Sequence, residues 1–458
     1  MKRNFRYYLA LFVAQFTAFG LKLFGKKATN MPGLCAINIC PDFLARMHTP
    51  EKVLGITGTN GKTTVSNMIE DVLEDCGYDF ICNKKGSNVD TGVISAFLAN
   101  STFFGKPKKK LAILELDERS APKIFPQVKP EMILCTNIFR DSYRRNAHAE
   151  FIMDILNKYT SKDTKLILNS DDLISGSLCP QNERVYFGIN KMEGETNDMK
   201  NIVCDVRSCP VCGEKLTWDF IRYHHIGQAK CEACGHKNPK ANYKIVSIDI
   251  ENMKIHVEMQ GAECEFPLLN SNLINIYNEL SAIAFLGEFG LTTEQIKASL
   301  QKMRISETRY SEEIVKDKKI IMHIAKGQNP VACSRACENV RSYPGKKSVM
   351  LLMDDFPLYS TIQNVAWFYD TDFEFLNDPD VVQIVMAGRN HWDVYVRILM
   401  AGVPEEKIVH MDDPVKAAGE MNVQDSESIW VLHDIYNFSN QEASEVKARI
   451  KEKIQNLN

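Results

Sequence analysis

The chain has 458 residues, enough for two or three domains, and its apolar content of 45% is sufficient for large buried cores. A formal net charge of −3, without a basic face interleaved with aromatic residues, argues against a nucleic-acid partner. Of the 14 cysteines, four form two regular pairs and the others are scattered in apolar surroundings, which predicts reduced core residues in a cytoplasmic protein.

The N-terminal segment at 5–24 is rich in aromatic and aliphatic residues. It is flanked by the basic residues Lys2, Arg3, Arg6, Lys22, Lys26 and Lys27. Gln15 and Thr17 interrupt the apolar run and no small-residue cleavage site is clear, so neither a signal peptide nor a spanning helix is predicted. Two readings stay open: a helix packed on the next domain, and a basic amphipathic helix resting on the inner face of a membrane.

The most informative segment runs from Gly55 to Thr64 and reads G-I-T-G-T-N-G-K-T-T, a phosphate-binding P-loop. An apolar run at 53–56 predicts a buried strand before it. Apolar residues at 65, 68, 69, 72 and 73 predict one face of a helix after it. Backbone N–H groups of such a loop cradle phosphates, and the helix N-terminus adds partial positive charge. The predicted ligand is a nucleoside triphosphate, identified as ATP.

The side chains of the P-loop have separate predicted tasks. Lys62 reaches the β- and γ-phosphates, and the Thr63 hydroxyl ligates Mg²⁺, an ion that prefers hard oxygen ligands. The predicted nucleotide-binding positions within the loop are Gly58, Thr59, Asn60, Gly61, Lys62, Thr63 and Thr64.

Apolar runs at 111–116, 132–136 and 165–168 alternate with helical stretches, which predicts an α/β domain with a doubly wound parallel sheet. Residues 243–258 alternate as a hairpin does, and helices are predicted within 271–303. A second, Rossmann-like α/β domain follows. The expected organisation is an N-terminal helical segment at 1–50, a central ATP-binding domain at 51–310 with an insertion at 204–240, and a C-terminal domain at 311–458.

The insertion contains two C-x2-C pairs that are separated by 18 residues: Cys209, Cys212, Cys231 and Cys234. Gly213 and Gly235 follow the pairs and suit the tight turns that direct thiolates toward one metal. Four thiolates at this spacing predict a closed tetrahedral Zn²⁺ site with a structural role. Two disulfides are the alternative, although nothing else in the chain indicates secretion.

Several segments resemble the Mur ligase superfamily, whose members join a carboxylate to an amine through an acyl phosphate. Besides the T-G-T-N-G-K-T-T loop, they are L-E-L-D-E at 114–118, T-N-I-F-R-D at 136–141, L-N-S-D-D at 168–172 and N-I-Y-N at 275–278. The resemblance implies that Lys62 and Glu115 are catalytic, with Thr63 and Glu115 holding Mg²⁺; Glu118 is a second acidic candidate. It also implies that Asn278 faces adenine and Arg309 the phosphates.

Within that superfamily the chain resembles the MurT ligases, subunits of lipid II isoglutaminyl synthase. Only 54 residues precede the P-loop, so no UDP-binding domain is expected before it, and a four-cysteine ribbon interrupts the predicted central domain. W-F-Y-D-T-D-F-E at 367–374 and G-R-x-x-x-D-x-x-x-R at 388–397 are similar to MurT segments. The resemblance implies amidation of the lipid II stem peptide, or a related muropeptide, with ammonia from a GatD-type glutaminase. Asp370 is the implied carboxylate that completes the partner's catalytic Cys–His pair.

The chain departs from the MurT pattern in two segments. Asn364 stands where an aspartate is expected, the rest of 354–366 is altered, and 142–147 also differs. An asparagine cannot stabilise an imidazolium by charge as a carboxylate does. Two further functions therefore stay open. One is another ATP-dependent amide ligase of the superfamily, such as a folylpolyglutamate-type enzyme, and the other is a diverged, non-catalytic nucleotide-binding scaffold.

Overall fold

The structure, a computed structural model, describes residues 2–26, 28–84, 87–141, 148–303, 310–325, 328–353, 364–434 and 437–457. Arg309, residues 142–147 and residues 354–363 of the altered loop lie outside them. The chain forms two compact units. Unit 1 comprises Met1–Phe139, Ala149–Met199 and Asp205–Ile305, and unit 2 comprises Arg140–His148, Lys200–Cys204 and Ser306–Asn458. The predicted boundaries at 50 and 310 stay predictions.

The N-terminal segment of unit 1 is helical: α1 (Phe5–Leu23), α2 (Met31–Ile39) and α3 (Phe43–Arg46). The Asn4 side chain caps α1 by accepting a hydrogen bond from the Tyr7 N–H at 3.0 Å. One face of α1, which includes Tyr7, Leu11 and Ala14, is buried. Within the described ranges no helix combines the length and the hydropathy that crossing a membrane requires.

The first five strands of unit 1 alternate with α-helices along the chain, and the other six follow one another before the last two helices. The strands are β1 (Lys52–Thr57), β2 (Phe80–Cys82), β3 (Leu111–Glu115), β4 (Met132–Cys135), β5 (Lys165–Asn169), β6 (Arg184–Ile189), β7 (Thr217–Tyr223), β8 (Ile226–Lys230), β9 (Tyr243–Asp249), β10 (Lys254–Met259) and β11 (Ala262–Pro267). The helices are α4 (Lys62–Asp75), α5 (Asp90–Ala99), α6 (Ala121–Val128), α7 (Ala149–Tyr159), α8 (Leu273–Phe289) and α9 (Thr293–Lys302).

In the described part of unit 1 the main sheet has the order β11-β10-β9-β6-β5-β4-β1-β3-β2. The pairs from β2 to β9 are parallel, and β9, β10 and β11 form an antiparallel edge. Strand β1 lies between β3 and β4, so the loop after β1 is flanked by the carboxyl ends of both neighbours. Ligands of open α/β sheets bind at such edges.

The helix after the P-loop buries the apolar face that the sequence pattern predicted. The five apolar residues that follow the loop, Val65, Met68, Ile69, Val72 and Leu73, are all buried on one face of α4. Helix α8 begins at an Asn272 cap and ends at Gly290, whose φ of 111° is the left-handed conformation that favours glycine. Helix α8 packs beside α4 and so brings a distant part of the chain to the P-loop.

Unit 2 is a second α/β fold. Its strands are β12 (Tyr310–Val315), β13 (Lys318–Ile324), β14 (Lys347–Leu352), β15 (Val381–Ala387), β16 (Ile408–Met411) and β17 (Ser428–His433). Its helices are α10 (Pro330–Ser342), α11 (His391–Met400), α12 (Pro414–Gly419) and α13 (Asn437–Gln455). The sheet order is β12-β13-β17-β14-β15-β16, parallel except for the β12–β13 hairpin. The predicted α/β class of both parts is confirmed.

Candidate functional site

The P-loop joins the end of β1 to the first turn of α4. Gly58 and Gly61 have φ angles of 121° and 89°, which residues with a side chain rarely adopt. A Cβ at position 58 would lie 2.3 Å from the Thr136 hydroxyl oxygen, and one at position 61 would lie 2.2 Å from the Asn278 Oδ1. Conformation therefore requires both glycines, and at position 58 the neighbouring backbone of Thr136 and Asn137 also leaves no space for a side chain.

The segment after β4 holds the P-loop in place from the other side. The Thr136 hydroxyl and the Asn137 Nδ2 donate to the Asn60 carbonyl oxygen at 2.7 and 3.0 Å. The Asn60 N–H donates to the Asn137 Oδ1 at 3.0 Å, and the Thr59 hydroxyl accepts from the Phe139 N–H at 2.9 Å. The sequence indicated this segment as a motif but did not reveal that it braces the loop.

Lys62 and Glu118 form an ion pair beside the loop. The Lys62 Nζ lies 3.4 Å from each carboxylate oxygen of Glu118 and also donates to the Gly58 carbonyl. The exposed fractions of the two side chains are 13% and 3%. The pair therefore directs the lysine along the loop. Glu118, the second acidic candidate of the sequence, is the one that the structure brings to Lys62.

Glu115 ends β3 next to the end of β1. The side-chain amide of Asn83 donates to the Glu115 carbonyl oxygen and accepts from the Glu115 N–H. The Glu115 Oε1 accepts a hydrogen bond from the Asn88 Nδ2 at 3.2 Å. In the parallel register Glu115 lies opposite Ile56, directly before the loop. Thr63 is exposed in the first turn of α4. Nothing in the sequence indicated the two asparagines: Asn83 holds the backbone of Glu115, and Asn88 holds its carboxylate, at the loop edge of the sheet.

A buried polar cluster connects helix α8 to the inserted hairpin β7–β8. The Tyr277 hydroxyl donates to the Asp171 Oδ2 at 2.6 Å, and the Arg222 Nη1 lies 3.0 Å from the same oxygen. Burial lowers the pKa of Arg222, but Tyr277, Glu195 and Asp171 outweigh it and raise the pKa. Tyr277 precedes Asn278, so the cluster fixes the part of α8 that faces the P-loop. The sequence did not indicate Arg222, because its partners are distant in the chain.

The four cysteines of the insertion converge. Their sulfur atoms all lie within 4.8 Å of one another, with 3.4 Å between Cys212 and Cys231 and 3.6 Å between Cys209 and Cys234. These separations exceed a disulfide bond of about 2.05 Å and are close to the ~3.8 Å between ligands of a tetrahedral metal–thiolate site. All four are free thiols, so the disulfide alternative does not hold. The donor set fits one tetrahedral metal ion.

Asp370 belongs to unit 2, at the end of a 3₁₀ turn (Ala366–Asp370). The Asn364 Oδ1 accepts from the Ala366 N–H at 3.0 Å, so the residue that departs from the expected aspartate helps to form this turn. The Asp370 Oδ2 lies 2.8 Å from the Arg140 Nη1, with exposed side-chain fractions of 15% and 22%. The carboxylate is thus oriented by an arginine of the T-N-I-F-R-D segment.

The motif spacing at 367–397 also has a packing explanation. The Arg397 guanidinium is buried and donates to the carbonyl oxygens of Phe368 and Thr371 at 3.0 and 2.8 Å and to the Glu374 carboxylate at 2.8 Å. These bonds join the turn that carries Asp370 to α11.

The fold and the site define a P-loop ligase of the Mur type. A model described as Mur ligase middle domain matches residues 56–286, and the chain belongs to the Mur ligase family, which consists of ATP-dependent ligases that use ATP with Mg²⁺. A pseudomurein peptide ligase type C from Methanothermus fervidus has a similar structure, with a TM-score of 0.64 and 20% identity, covering 93% of this chain and 84% of its own. MurF from Acinetobacter baumannii has a TM-score of 0.60 and 15% identity, covering 92% and 81%.

Within the family, the chain is similar to MurT proteins over most of its length. A model described as MurT ligase C-terminal matches residues 327–436. The lipid II isoglutaminyl synthase (glutamine-hydrolyzing) subunit MurT of Staphylococcus aureus (strain COL) is 29% identical over 410 residues, covering 89% of this chain and 91% of its own. The subunit of the same name from Streptococcus pneumoniae (strain ATCC BAA-255 / R6) is 27% identical over 436 residues, covering 94% of each.

Proposed function

We propose that this chain is the ligase subunit of a two-subunit enzyme that amidates the D-glutamate α-carboxylate of the lipid II stem peptide to D-isoglutamine. The observation that carries the proposal is the similarity to MurT subunits over 89% of the chain, which includes a match of the C-terminal part to the MurT-specific model. The relatives' names describe a glutamine-hydrolyzing enzyme, so we infer a glutaminase partner of the GatD type that supplies ammonia.

The chemistry has two steps. A carboxylate oxygen of the substrate attacks the γ-phosphorus of ATP, ADP leaves, and an acyl phosphate forms. Ammonia then attacks the acyl carbon, inorganic phosphate leaves with the former carboxylate oxygen, and the nitrogen loses a proton to give the amide. Positioning and cationic clamps supply most of the catalysis in such reactions. The enzyme therefore has to hold the phosphates, the substrate carboxylate and the ammonia in positions from which they can react.

Lys62 is the proposed phosphate clamp, because it lies at the start of α4 in the P-loop. Glu118, 3.4 Å from its nitrogen, is the proposed positioning residue that keeps the lysine extended along the loop. Thr63 and Glu115 are the proposed Mg²⁺ ligands, since both lie at the carboxyl edge of the sheet next to the loop. Asn278, which abuts Gly61, is the proposed adenine contact. Arg309 stays the proposed phosphate contact.

Lys62→Ala and Glu118→Gln test these assignments together. Loss of the clamp predicts a fall in ATP turnover of about 10³-fold or more, since a cationic clamp on a transferring phosphoryl group is worth that much. Glu118→Gln keeps the shape and removes the charge, so we expect a smaller loss, mainly in the rate and not in ATP affinity. Unchanged ATP turnover in Lys62→Ala would show that Lys62 is not the phosphate clamp.

We propose that the four-cysteine cluster binds one Zn²⁺ and that the ion is structural. All four ligand positions are thiolates, which leaves no open position for a substrate or an activated water. The ribbon thus holds the β7–β8 hairpin, from which Arg222 reaches the Asp171–Tyr277 cluster.

Asp370 is the proposed carboxylate that orients the catalytic histidine of the partner glutaminase. In the competing role, Asp370 only stabilises this chain, because its ion pair with Arg140 already occupies one carboxylate oxygen. The two roles predict different behaviour toward the nitrogen source. A histidine-orienting carboxylate affects only glutamine hydrolysis, whereas an internal role affects amidation from any source.

The decisive experiment reconstitutes the chain with a GatD-type glutaminase, ATP and lipid II, and supplies either glutamine or ammonium. Asp370→Asn is expected to lower glutamine-dependent amidation at least about 100-fold and to leave ammonium-dependent amidation unchanged. Asp380→Asn, an exposed carboxylate of the same unit, serves as the control. An equal loss with both nitrogen sources supports the internal role of Asp370. If no complex and no amide form, a different amide ligase or a nucleotide-binding scaffold becomes the better explanation.

We also propose that the enzyme works in the cytoplasm at the inner face of the membrane, because a lipid-linked carboxylate is presented there.

A further inference from the structure

The solvent-facing side of α1 is apolar along its whole length. Apolar side chains recur at every third or fourth residue on this side: Phe5, Leu9, Phe12, Phe16, Phe19 and Leu23. Phe5, Phe16 and Phe19 are 82%, 79% and 65% exposed, while the opposite side of the helix is buried against the unit. A helix that packs on a domain normally turns its apolar face inward. Here both faces are apolar, and only one is covered.

A loop after α5 extends this surface. Phe103 and Phe104 are 64% and 67% exposed, and the Phe103 ring centroid lies 5.0 Å from that of Phe12. The Gln15 Nε2 donates to the Thr102 carbonyl at 2.9 Å, which fixes the loop beside the helix. We call the six α1 residues together with Phe103 and Phe104 the aromatic patch. Contiguous exposed apolar surface of this kind marks interaction sites in soluble domains.

The sequence that carries the aromatic patch is rich in basic residues. The first acidic residue of the chain is Asp42, and the preceding residues include six basic ones: Lys2, Arg3, Arg6, Lys22, Lys26 and Lys27. On the loop side, Lys106 and Lys108 are exposed. Basic residues next to an in-plane apolar helix are attracted to anionic lipid headgroups. The arrangement is complementary in charge and in polarity to such a surface.

We propose that the aromatic patch docks onto a membrane surface that contains anionic phospholipids, with α1 lying in the plane of the headgroups. The aromatic rings enter the boundary between headgroups and acyl chains, and the lysines and arginines contact phosphates. This mode requires no spanning helix. The proposal goes beyond the catalytic assignment, since lipid binding needs neither ATP nor a partner, and it places the ligase beside a lipid-linked substrate.

The test is co-sedimentation of the full chain with vesicles of phosphatidylglycerol and phosphatidylcholine. The double variant Phe16→Ser/Phe19→Ser is expected to bind at least about tenfold more weakly, because each ring contributes several buried carbons. The matched control is Phe151→Ser/Ile250→Ser, which removes two apolar side chains of 52% and 56% exposure outside the patch. The control should bind as the parent does.

A second experiment changes basic residues beside the patch and leaves the aromatic residues intact. Lys22→Glu/Lys26→Glu is expected to reduce binding to the anionic vesicles by about tenfold or more, and pure phosphatidylcholine vesicles should bind the parent comparably weakly. Equal thermal midpoints and equal ATP binding confirm that the variants are folded.

Three results would overturn the proposal: no binding of the parent to anionic vesicles, equal binding by the Phe16→Ser/Phe19→Ser variant and its control, or a patch that only mediates self-association. The last would show as a change from dimer to monomer in the patch variant without any change in vesicle binding. Amidation of a water-soluble muropeptide, measured in parallel, reports on the catalytic proposal separately and should not change in the patch variant.

Discussion

Arg222→Met tests whether the inserted hairpin supports the nucleotide site. The Arg222 side chain is 2% exposed, and its Nη1 lies 3.0 Å from the Asp171 Oδ2. Its Nη2 donates to the carbonyl oxygens of Asn190 and Ile189 at 2.9 and 3.2 Å and to the Glu195 Oε2 at 3.1 Å. Methionine keeps most of the aliphatic stem, so the substitution mainly removes the charge and leaves a buried carboxylate without its cation.

Breaking a buried pair by removing one partner costs about 3–5 kcal/mol. For a unit of this size, each kcal/mol lowers the thermal midpoint by about 2 °C, so unit 1 should melt about 6–10 °C lower. The control is Lys191→Met. Lys191 forms an ion pair with Asp219 at 3.0 Å, but the two side chains are 45% and 68% exposed. Exposed pairs contribute about 0–1 kcal/mol, so the control should melt within about 2 °C of the parent.

The assay is thermal unfolding of the full chain, together with ATP binding at a temperature where both variants are folded. Because Tyr277 shares the Asp171 oxygen and precedes Asn278, we also expect Arg222→Met to weaken ATP binding. Adding Asp171→Asn should recover part of the stability, since it removes the orphaned charge. If Arg222→Met has the same thermal midpoint as Lys191→Met and binds ATP normally, the hairpin does not support the nucleotide site.

Gly61→Ala should abolish ATP binding without unfolding the chain, because its φ of 89° and the 2.2 Å approach of an amide oxygen leave no room for a Cβ; normal affinity in a calorimetric titration would contradict this. Burial raises the pKa of Glu279 to about 8, above its unfolded value of about 4.3, so its contribution to stability is lost as the pH rises through that window. Glu279→Gln should therefore flatten the fall of the thermal midpoint between about pH 5 and pH 8, whereas the exposed Glu294→Gln should not. Purified protein should contain about one zinc ion per chain, and Cys231→Ser should lower the zinc content while Cys264→Ser does not; absence of zinc from gently purified protein would reject the site.

The local features of this protein could be predicted from its sequence. The P-loop lies in a strand–turn–helix context that ten consecutive residues and their neighbours specify, and α4 buries the face that its spacing predicted. The convergence of the four cysteines could also be predicted, because two C-x2-C pairs at a fixed separation are typical of a four-thiolate metal site. Both are encoded over short distances along the chain.

The support of the site could not be predicted, because it depends on contacts between distant residues. Glu118 reaches Lys62 across 56 positions, and Arg222 reaches Tyr277 across 55. The ion pair between Asp370 and Arg140 joins residues 230 positions apart. No periodicity or motif spacing specifies such pairs, since they follow from the order of strands in the sheet and from the insertion of the hairpin.

The most direct test of the central claim follows an oxygen atom. Lipid II whose D-glutamate α-carboxylate carries a heavy oxygen isotope is incubated with this chain, the proposed glutaminase partner, ATP and glutamine. If the carboxylate is activated by phosphoryl transfer, the amide forms and one labelled oxygen appears in inorganic phosphate, and both products are lost in Lys62→Ala. Amide without labelled phosphate, or ATP hydrolysis with neither product, would contradict the account.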